Sequence, residues 1–182
     1  MSHIDIHPFP TPFGELVLGS FEERLCLCDW RYRRMREGVD QRLRKGLGSA
    51  FREGRSPVIE TAMAQLKAYF AGERRTFGVP LRFVGSQFQQ RVWEALQKVP
   101  YGSTSTYAEL TARVASPAAI RAVASANGAN ALSILVPCHR IIGSSGELVG
   151  YAGGLPAKRK LLQLEGAHAQ EQPDLFHALS QA

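Results

Sequence analysis

The sequence predicts an α/β domain, followed by a mainly helical domain and a short tail. Residues 1–85 combine strand-like runs with one long amphipathic helix, residues 86–166 carry repeated helix-start signals, and residues 167–182 are mostly small and polar. The 182 residues leave enough chain for a hydrophobic core shared by two small domains.

The composition indicates a globular protein with an anionic partner. The net charge of +6 and the pI near 9.5 favour nucleic acid, the commonest such partner. Three cysteines, an odd number, do not form a disulfide framework and indicate a reducing compartment. The chain has no apolar run of membrane-spanning length and no N-terminal signal pattern. We therefore expect a cytoplasmic monomer without a membrane partner.

In the first domain, residues 11–14 predict a turn, and residues 15–18 and 24–30 predict two strands. Ser56 and Pro57 are suited to the N-cap and first position of a helix, which Gly72 would end.

The second strand carries a Cys-x-Cys pair. Alternation predicts Leu25 and Leu27 on one face, with Cys26 and Cys28 on the other. The two thiols and His7 could bind a metal, but tetrahedral zinc needs a fourth ligand. We therefore interpret both cysteines as structural.

Residues 31–55 form a basic stretch, with nine Arg and Lys residues against three acidic ones. A solvated helix face with a surface loop is the favoured interpretation, and direct DNA contact is the alternative. Residues 76–83 look extended and lead to the predicted domain boundary near Gly85.

The second domain begins with two capping boxes, each a Ser or Thr followed three residues later by Gln or Glu: Ser86/Gln89 and Thr106/Glu109. A third helix is predicted from Ser116-Pro117 to Asn127. The short turn between the last two helices indicates a helix-turn-helix. The third helix is rich in Ala, and its single charge, Arg121, could occupy the space left by a displaced base. Its small face could instead pack against another helix.

The apolar run at residues 134–142 predicts a buried strand, or two strands, broken at Pro137, where Cys138 is presented beside His139. A thiol next to an imidazole can supply a thiolate nucleophile, although a buried structural thiol is the alternative. Adjacent residues of an extended chain point to opposite faces, so proton transfer would need a bend or a bridging water.

His139 would also need an acceptor to orient it. Glu165 is the candidate, because it lies at the end of a helix that Pro156 opens and Gly166 stops. An acidic residue is unfavourable at a helix C-terminus, which indicates a compensating partner, and an exposed surface Glu is the alternative. Between these sites, the loop Gly150-Tyr151-Ala152-Gly153-Gly154 lacks a P-loop lysine and could admit a planar ligand, with Tyr151 as a wall.

Pro137-Cys138-His139-Arg140 between apolar runs resembles the active-site motif of the 6-O-alkylguanine-DNA alkyltransferases, also called methylated-DNA–protein-cysteine methyltransferases. The resemblance covers about residues 88–166 and the strand pair after residues 11–14. It implies a ribonuclease-H-like α/β domain followed by a winged-helix-like catalytic domain. It further implies single-turnover transfer of a methyl or other alkyl group from the 6-oxygen of guanine, or the 4-oxygen of thymine, in double-stranded DNA to the protein's own cysteine after base flipping.

The resemblance also implies roles for individual residues. Cys138 matches the alkyl-accepting cysteine, and His139 with Glu165 matches its water-linked activating relay. Tyr107 matches the tyrosine that helps to displace the nucleotide and forms a hydrogen bond with the guanine ring. Arg121 matches the arginine that fills the vacated stack.

Further residues of the base site follow from the same resemblance. They are the hinge residue Asn130, the pocket residue Tyr151, and Ala152, Gly153 and Ile141. Ala152 stands where some members have Ser. In the family this residue can donate a hydrogen bond through its backbone N–H, which Ala also has, so we expect the change to weaken the site little. Phe21 and Cys26 stand where some members bind zinc, and we expect neither a metal nor a cofactor.

Two other function classes would use the same features differently. A non-catalytic lesion-binding protein would have no need of a nucleophile at Cys138. A cysteine hydrolase would need an oxyanion hole and would leave the helix-turn-helix unexplained.

The tail contains one short motif. Gln172, Asp174, Leu175 and Phe176 resemble the peptide by which bacterial repair proteins bind the sliding clamp. The favoured interpretation is that Leu175 and Phe176 fold back onto the protein or form a short amphipathic turn with Leu179, and clamp binding is the alternative.

Overall fold

The computed structural model describes residues 2–167, which form an α/β domain and a helix-turn-helix domain, as predicted. The elements of the first domain are β1 (Ile4–Thr11), β2 (Gly14–Phe21), β3 (Arg24–Trp30), α1 (Arg36–Leu47), β4 (Phe51–Glu53) and α2 (Pro57–Phe70). Those of the second are α3 (Gln87–Leu96), β5 (Ser105–Thr106), α4 (Tyr107–Val114), α5 (Ile120–Gly128), β6 (Ile141–Ile142) and α6 (Leu155–Leu164).

A four-stranded sheet in the order β3-β2-β1-β4 organises the first domain, with β4 parallel to β1 and the other pairs antiparallel. β3 has its predicted bounds, and β2 is longer than predicted. β1 and β4 were not predicted. β1 contains Pro8 and Pro10, which lie beyond its pairing with β4, so the missing N–H groups remove no hydrogen bonds from that edge.

A bulge at Cys26 changes which residues of β3 share a face. Ser20 pairs with Leu25 and Gly19 with Leu27, so Cys26 is the extra residue. The prediction that Leu25 and Leu27 share a face was wrong. Leu25 packs in the main core, whereas Leu27 packs with Cys26 in a second cluster under α1.

Both predicted capping boxes are present, and they open α3 and α4. α5 follows a 3₁₀ turn over Pro117–Ala119 and ends one residue later than predicted, at Gly128. The indole of Trp93 in α3 donates a hydrogen bond of 2.8 Å to the carbonyl of Ala126, which fixes α5 against α3.

The segment that leads to Cys138 is a buried turn, so the strand predicted before Pro137 was wrong, whereas Ile141 and Ile142 after it form the short strand β6. Ile134 has a φ of +75°, rare for a β-branched residue, and Cys138–Arg140 form a 3₁₀ turn before β6. Hydrogen bonds from Cys28 N to Ala131 O and from Ser133 N to Cys28 O join this segment to β3. An apolar run shows burial, but it does not distinguish a strand from a turn that others hold in place.

One hydrophobic core runs through both domains. It includes Leu16 of the sheet, Tyr69 of α2, Leu96 of α3 and Val136 beside Cys138. The boundary near Gly85 stays a prediction. Within residues 2–167, no helix is long and apolar enough to cross a membrane.

Candidate active site

Cys138 is the first residue of the 3₁₀ turn, and it is 4% exposed. Asn130 holds the segment in front of it: its Nδ2 donates to Val136 O at 2.8 Å, and its Oδ1 accepts from Leu132 N at 2.9 Å. Burial raises the pKa of the Cys138 thiol, partly opposed by hydrogen bonding to Asn130. The resting group is therefore a thiol.

His139 and Glu165 form a buried pair. The distance between His139 Nε2 and Glu165 Oε1 is 2.7 Å, and both side chains are fully buried. Because a carboxylate only accepts, Nε2 carries the hydrogen of a neutral ring. Burial lowers the pKa of His139, although Glu165 acts in the opposite direction. His139 Nδ1 is also buried, and it has no hydrogen-bond partner among the described residues.

Glu165 is a buried anion and not a surface carboxylate. Arg140 donates to it through Nε and Nη2, both at 2.9 Å, and the Tyr69 hydroxyl donates at 2.7 Å. Burial would raise the pKa of Glu165, but hydrogen bonds from His139 and Arg140 outweigh it and lower that pKa to about 2. These partners compensate the unfavourable position of Glu165 at the C-terminus of α6.

Cys138 lines a pocket of about 270 Å³. The other lining residues come from three parts of the chain: Tyr107, Ala124, Asn127 and Gly128 of the helix-turn-helix, Gly150, Tyr151 and Ala152 of the glycine-rich loop, and Arg33, Arg34 and Met35 of the first domain. Tyr107, Tyr151 and Ala152, which the sequence singled out separately, therefore share one pocket with Cys138.

Two tyrosines border this pocket with fixed hydroxyl groups. Tyr107 donates to Val149 O at 3.0 Å, and Tyr151 accepts from the Trp30 indole at 3.0 Å. Burial and the neighbouring Cys138 raise the pKa of both phenols, so each is a neutral hydrogen-bonding group.

Lys158 of α6 holds the glycine-rich loop. Its Nζ is buried and donates to the carbonyls of Ile141, Val149 and Gly150. Burial lowers the pKa of Lys158 to about 8. Gly153 packs on the Trp30 indole so closely that an added Cβ would lie 2.7 Å from the ring, which excludes any larger residue.

Four of the predicted DNA- or base-binding residues lie outside the pocket lining. Arg121 is exposed in the first turn of α5, and Ile141 is fully buried in β6. Asn130 hydrogen-bonds to the backbone of the turn before Cys138, and Gly153 packs against the Trp30 indole.

Sequence reasoning missed several supporting residues. Arg140 lies inside the recognised motif, so its position was the available signal. Tyr69 and Trp30 come from the first domain, and no local pattern connects them to Cys138.

The basic stretch 31–55 is less solvated than expected. Arg33 donates to both carboxylate oxygens of Asp29 and to the carbonyls of Gly128 and Asn130, and Arg42 donates to Ala129 O. For these two arginines the solvated-face interpretation was wrong, because they bind carbonyl groups at the C-terminal end of α5.

The two remaining cysteines do not share a metal site. Cys26 donates to Gly19 O and packs in the second cluster, whereas Cys28 packs in the main core. Residues 2–167 contain no group of three or more His, Cys, Asp or Glu side chains that could hold a metal ion.

Comparison with known families identifies both domains. The model "6-O-methylguanine DNA methyltransferase, ribonuclease-like domain" matches residues 7–83, and the corresponding "DNA binding domain" model matches residues 87–167.

Several similar proteins are named methylated-DNA–protein-cysteine methyltransferase. Methylated-DNA–protein-cysteine methyltransferase from Mycolicibacterium paratuberculosis is 52% identical over 115 residues, covering 63% of this chain and 70% of the relative. Its namesake from Mycobacterium leprae is 44% identical over 158 residues, covering 85% and 88%. The crystal structure of the Mycobacterium tuberculosis protein in complex with DNA aligns with a TM-score of 0.75 at 39% identity, covering 89% of this chain and 92% of that one.

Proposed function

Because the chain belongs to the 6-O-methylguanine DNA methyltransferase family, we infer that it repairs alkylated DNA by direct reversal. It is a methylated-DNA–protein-cysteine methyltransferase that moves a methyl or other alkyl group from the 6-oxygen of guanine to its own cysteine. We extend the substrate range to the 4-oxygen of thymine.

The observation that carries this proposal is the arrangement of three side chains. Cys138 lies in the pocket, and the next residue, His139, forms a hydrogen bond with the ionised Glu165. The unpartnered Nδ1 of His139 is the atom that takes the thiol proton, through a bridging water. Glu165 stabilises the imidazolium that forms, because it is negatively charged and held by Arg140.

The transfer step exchanges one bond for another. The Cys138 sulfur forms a bond to the alkyl carbon while the bond between that carbon and the guanine oxygen breaks. The electron pair stays with guanine, which is protonated near Tyr107. The resulting thioether has no bond that water or a second thiol readily cleaves, so each molecule reacts once.

The burial of Cys138 in the pocket supports the proposal that the target nucleotide leaves the duplex. Cys138 is buried, and a stacked base cannot reach it, so flipping at a cost of a few kcal/mol is part of the proposal. Arg121 is exposed at the start of α5, where it could occupy the vacated stack. Tyr107 and Tyr151 would contact the flipped base.

Intact mass spectrometry tests this function. Incubation with duplex DNA that contains 6-O-methylguanine should add one methyl group to the protein, on Cys138 in a peptide digest. A Cys138→Ala variant should gain no mass while still binding the DNA. An unmodified wild-type protein, or methylation of the variant, would reject the proposal.

We also propose a cytoplasmic, monomeric protein whose tail binds the sliding clamp. All three cysteines are free, as expected in a reducing compartment. Light scattering should give the mass of one chain, as expected for a monomer.

The clamp motif, Gln172, Asp174, Leu175 and Phe176, lies outside the described residues. Titration of a bacterial clamp should show binding that a Leu175→Ala/Phe176→Ala variant loses, and equal binding by both proteins would reject the tethering idea.

A further inference from the structure

One part of the Cys138 pocket comes from the first domain. Arg33, Arg34 and Met35, which connect β3 to α1, line it together with Tyr107 and Tyr151. We propose that Arg34 and Met35 form a substrate-contacting wall. Arg34 binds a phosphate beside the extrahelical nucleotide, and Met35 packs against the alkylated base and limits the size of the alkyl group. This inference rests on the proposed transferase function.

Arg33 fixes this wall to the catalytic domain. Its guanidinium binds both oxygens of the buried Asp29 at 3.2 Å, Gly128 O at 2.6 Å and Asn130 O at 3.2 Å. The side chain is only 7% exposed. Because Arg34 and Met35 follow it directly, their backbone is held at the pocket by contacts to α5 and to the residue that supports the Cys138 turn.

Arg34 is an available cation at the pocket. Its side chain is exposed and forms no ion pair or hydrogen bond with another described residue. By contrast, Arg31 pairs with Glu15 and Arg33 pairs with Asp29. Among the described residues, those that line the pocket include no carboxylate, so the local charge suits a phosphate group.

Met35 is a large apolar side chain that remains 66% exposed although it borders the pocket. Burial against a planar apolar ligand would remove this exposed surface from water. A thioether chain is flexible and polarizable, so it can adapt to bases that carry different alkyl groups. These properties fit a wall that closes on the substrate better than a purely structural loop.

Alkyl-size selectivity tests Met35. We would compare transfer rates from duplex DNA containing 6-O-methylguanine and 6-O-benzylguanine for wild type, Met35→Ala and Met35→Trp. The benzyl-to-methyl rate ratio should rise about tenfold in the Ala variant and fall about tenfold in the Trp variant. Tyr32→Ala is the control, since Tyr32 is 81% exposed in the same loop and does not line the pocket. An unchanged ratio in both Met35 variants would overturn this role.

The salt dependence of DNA binding tests Arg34. In a Cys138→Ala background, Arg34→Ala should make the slope of log affinity against log salt shallower by about 0.9, as loss of one phosphate contact requires. Arg55→Ala is the matched control, because Arg55 is an exposed arginine paired with Glu60. In the reactive protein, Arg34→Ala should slow transfer from duplex DNA but not from the free alkylated base. An unchanged slope, or equal slowing with both substrates, would overturn the phosphate contact.

The two levels of the proposal fail separately. Absence of methyl transfer by the wild-type protein would reject the transferase function. If the wild-type protein transfers the methyl group and the Arg34 and Met35 variants behave like it, only the inference of a substrate-contacting wall is rejected.

Discussion

The hydroxyl of Tyr69 donates a hydrogen bond of 2.7 Å to Oε1 of Glu165, although 96 residues separate them in the chain. Tyr69 belongs to the first domain and Glu165 to the catalytic domain. The first domain therefore supports the carboxylate that orients His139, and burial with the Glu165 charge raises the pKa of Tyr69 so that it stays a donor. This contact gives the first domain a part in the proposed relay that its sequence alone does not show.

Removal of this hydroxyl should destabilise the protein. Tyr69→Phe should lower the free energy of unfolding by about 2 kcal/mol, because a buried hydrogen bond to a charged group is lost. Urea unfolding followed by fluorescence measures the change. Tyr101→Phe is the control, since Tyr101 donates over 3.3 Å to the neutral carbonyl of Leu164 and should cost less. Equal losses in both variants would contradict a special role for the Tyr69 bond.

The ionised Glu165 should make stability depend on acid pH. Its folded pKa of about 2 lies below the ordinary value of 4.5, so it stabilises the fold above pH 4.5, and this contribution disappears as the pH falls toward 2. The shift corresponds to about 3 kcal/mol.

Glu165→Gln should remove this part of the pH dependence, as measured by unfolding between pH 2 and pH 6 in steps of about one unit. Glu94→Gln is the control, because Glu94 is an exposed residue of α3 that forms no ion pair or side-chain hydrogen bond with another described residue. If Glu165→Gln shows the same pH profile of stability as the wild-type protein, Glu165 is not the acid-sensitive group.

The rate of alkyl transfer should be level above the ordinary His pKa of 6.5 and fall only at lower pH. Burial lowers the pKa of His139, so the ring is neutral and able to accept the thiol proton above that value. Burial also raises the pKa of Cys138, so free thiolate is scarce near neutrality. Single-turnover rates measured up to about pH 8 test this relay. A rate that rises about tenfold per pH unit would instead indicate attack by a thiolate formed without His139.

Arg121 should matter only when a duplex must be opened. Arg121→Ala should slow transfer from duplex DNA about tenfold and leave transfer from the free alkylated base almost unchanged, because flipping costs a few kcal/mol. Arg113→Ala, which removes an exposed arginine from α4, is the control. Equal slowing of Arg121→Ala with both substrates would remove the proposed role in the stack.

Local signals predicted where α2, α3 and α4 begin. Ser56 caps α2, and the capping boxes at Ser86 and Thr106 open α3 and α4, because each uses contacts within one turn of chain. The Cys138–His139 motif and Glu165 were also predicted, and the structure brings His139 and Glu165 into direct contact. The roles of these residues in transfer stay predictions.

Predictions failed where distant segments decide the conformation. The bulge at Cys26 depends on pairing with β2, and the turn before Cys138 depends on hydrogen bonds to β3 and to Asn130. An apolar sequence pattern reports burial, but it carries no information about the partner that supplies the missing hydrogen bonds.

The sequence by itself determined the family motif, the nucleophile candidate and the starts of α2, α3 and α4, since these depend on residue chemistry and on contacts within a few positions. Only the tertiary structure decided that Arg140 and Tyr69 hydrogen-bond to Glu165, and that Arg34 and Met35 border the Cys138 pocket. Such contacts join residues tens of positions apart, and they form only when the two domains share one core, whose packing no local pattern specifies.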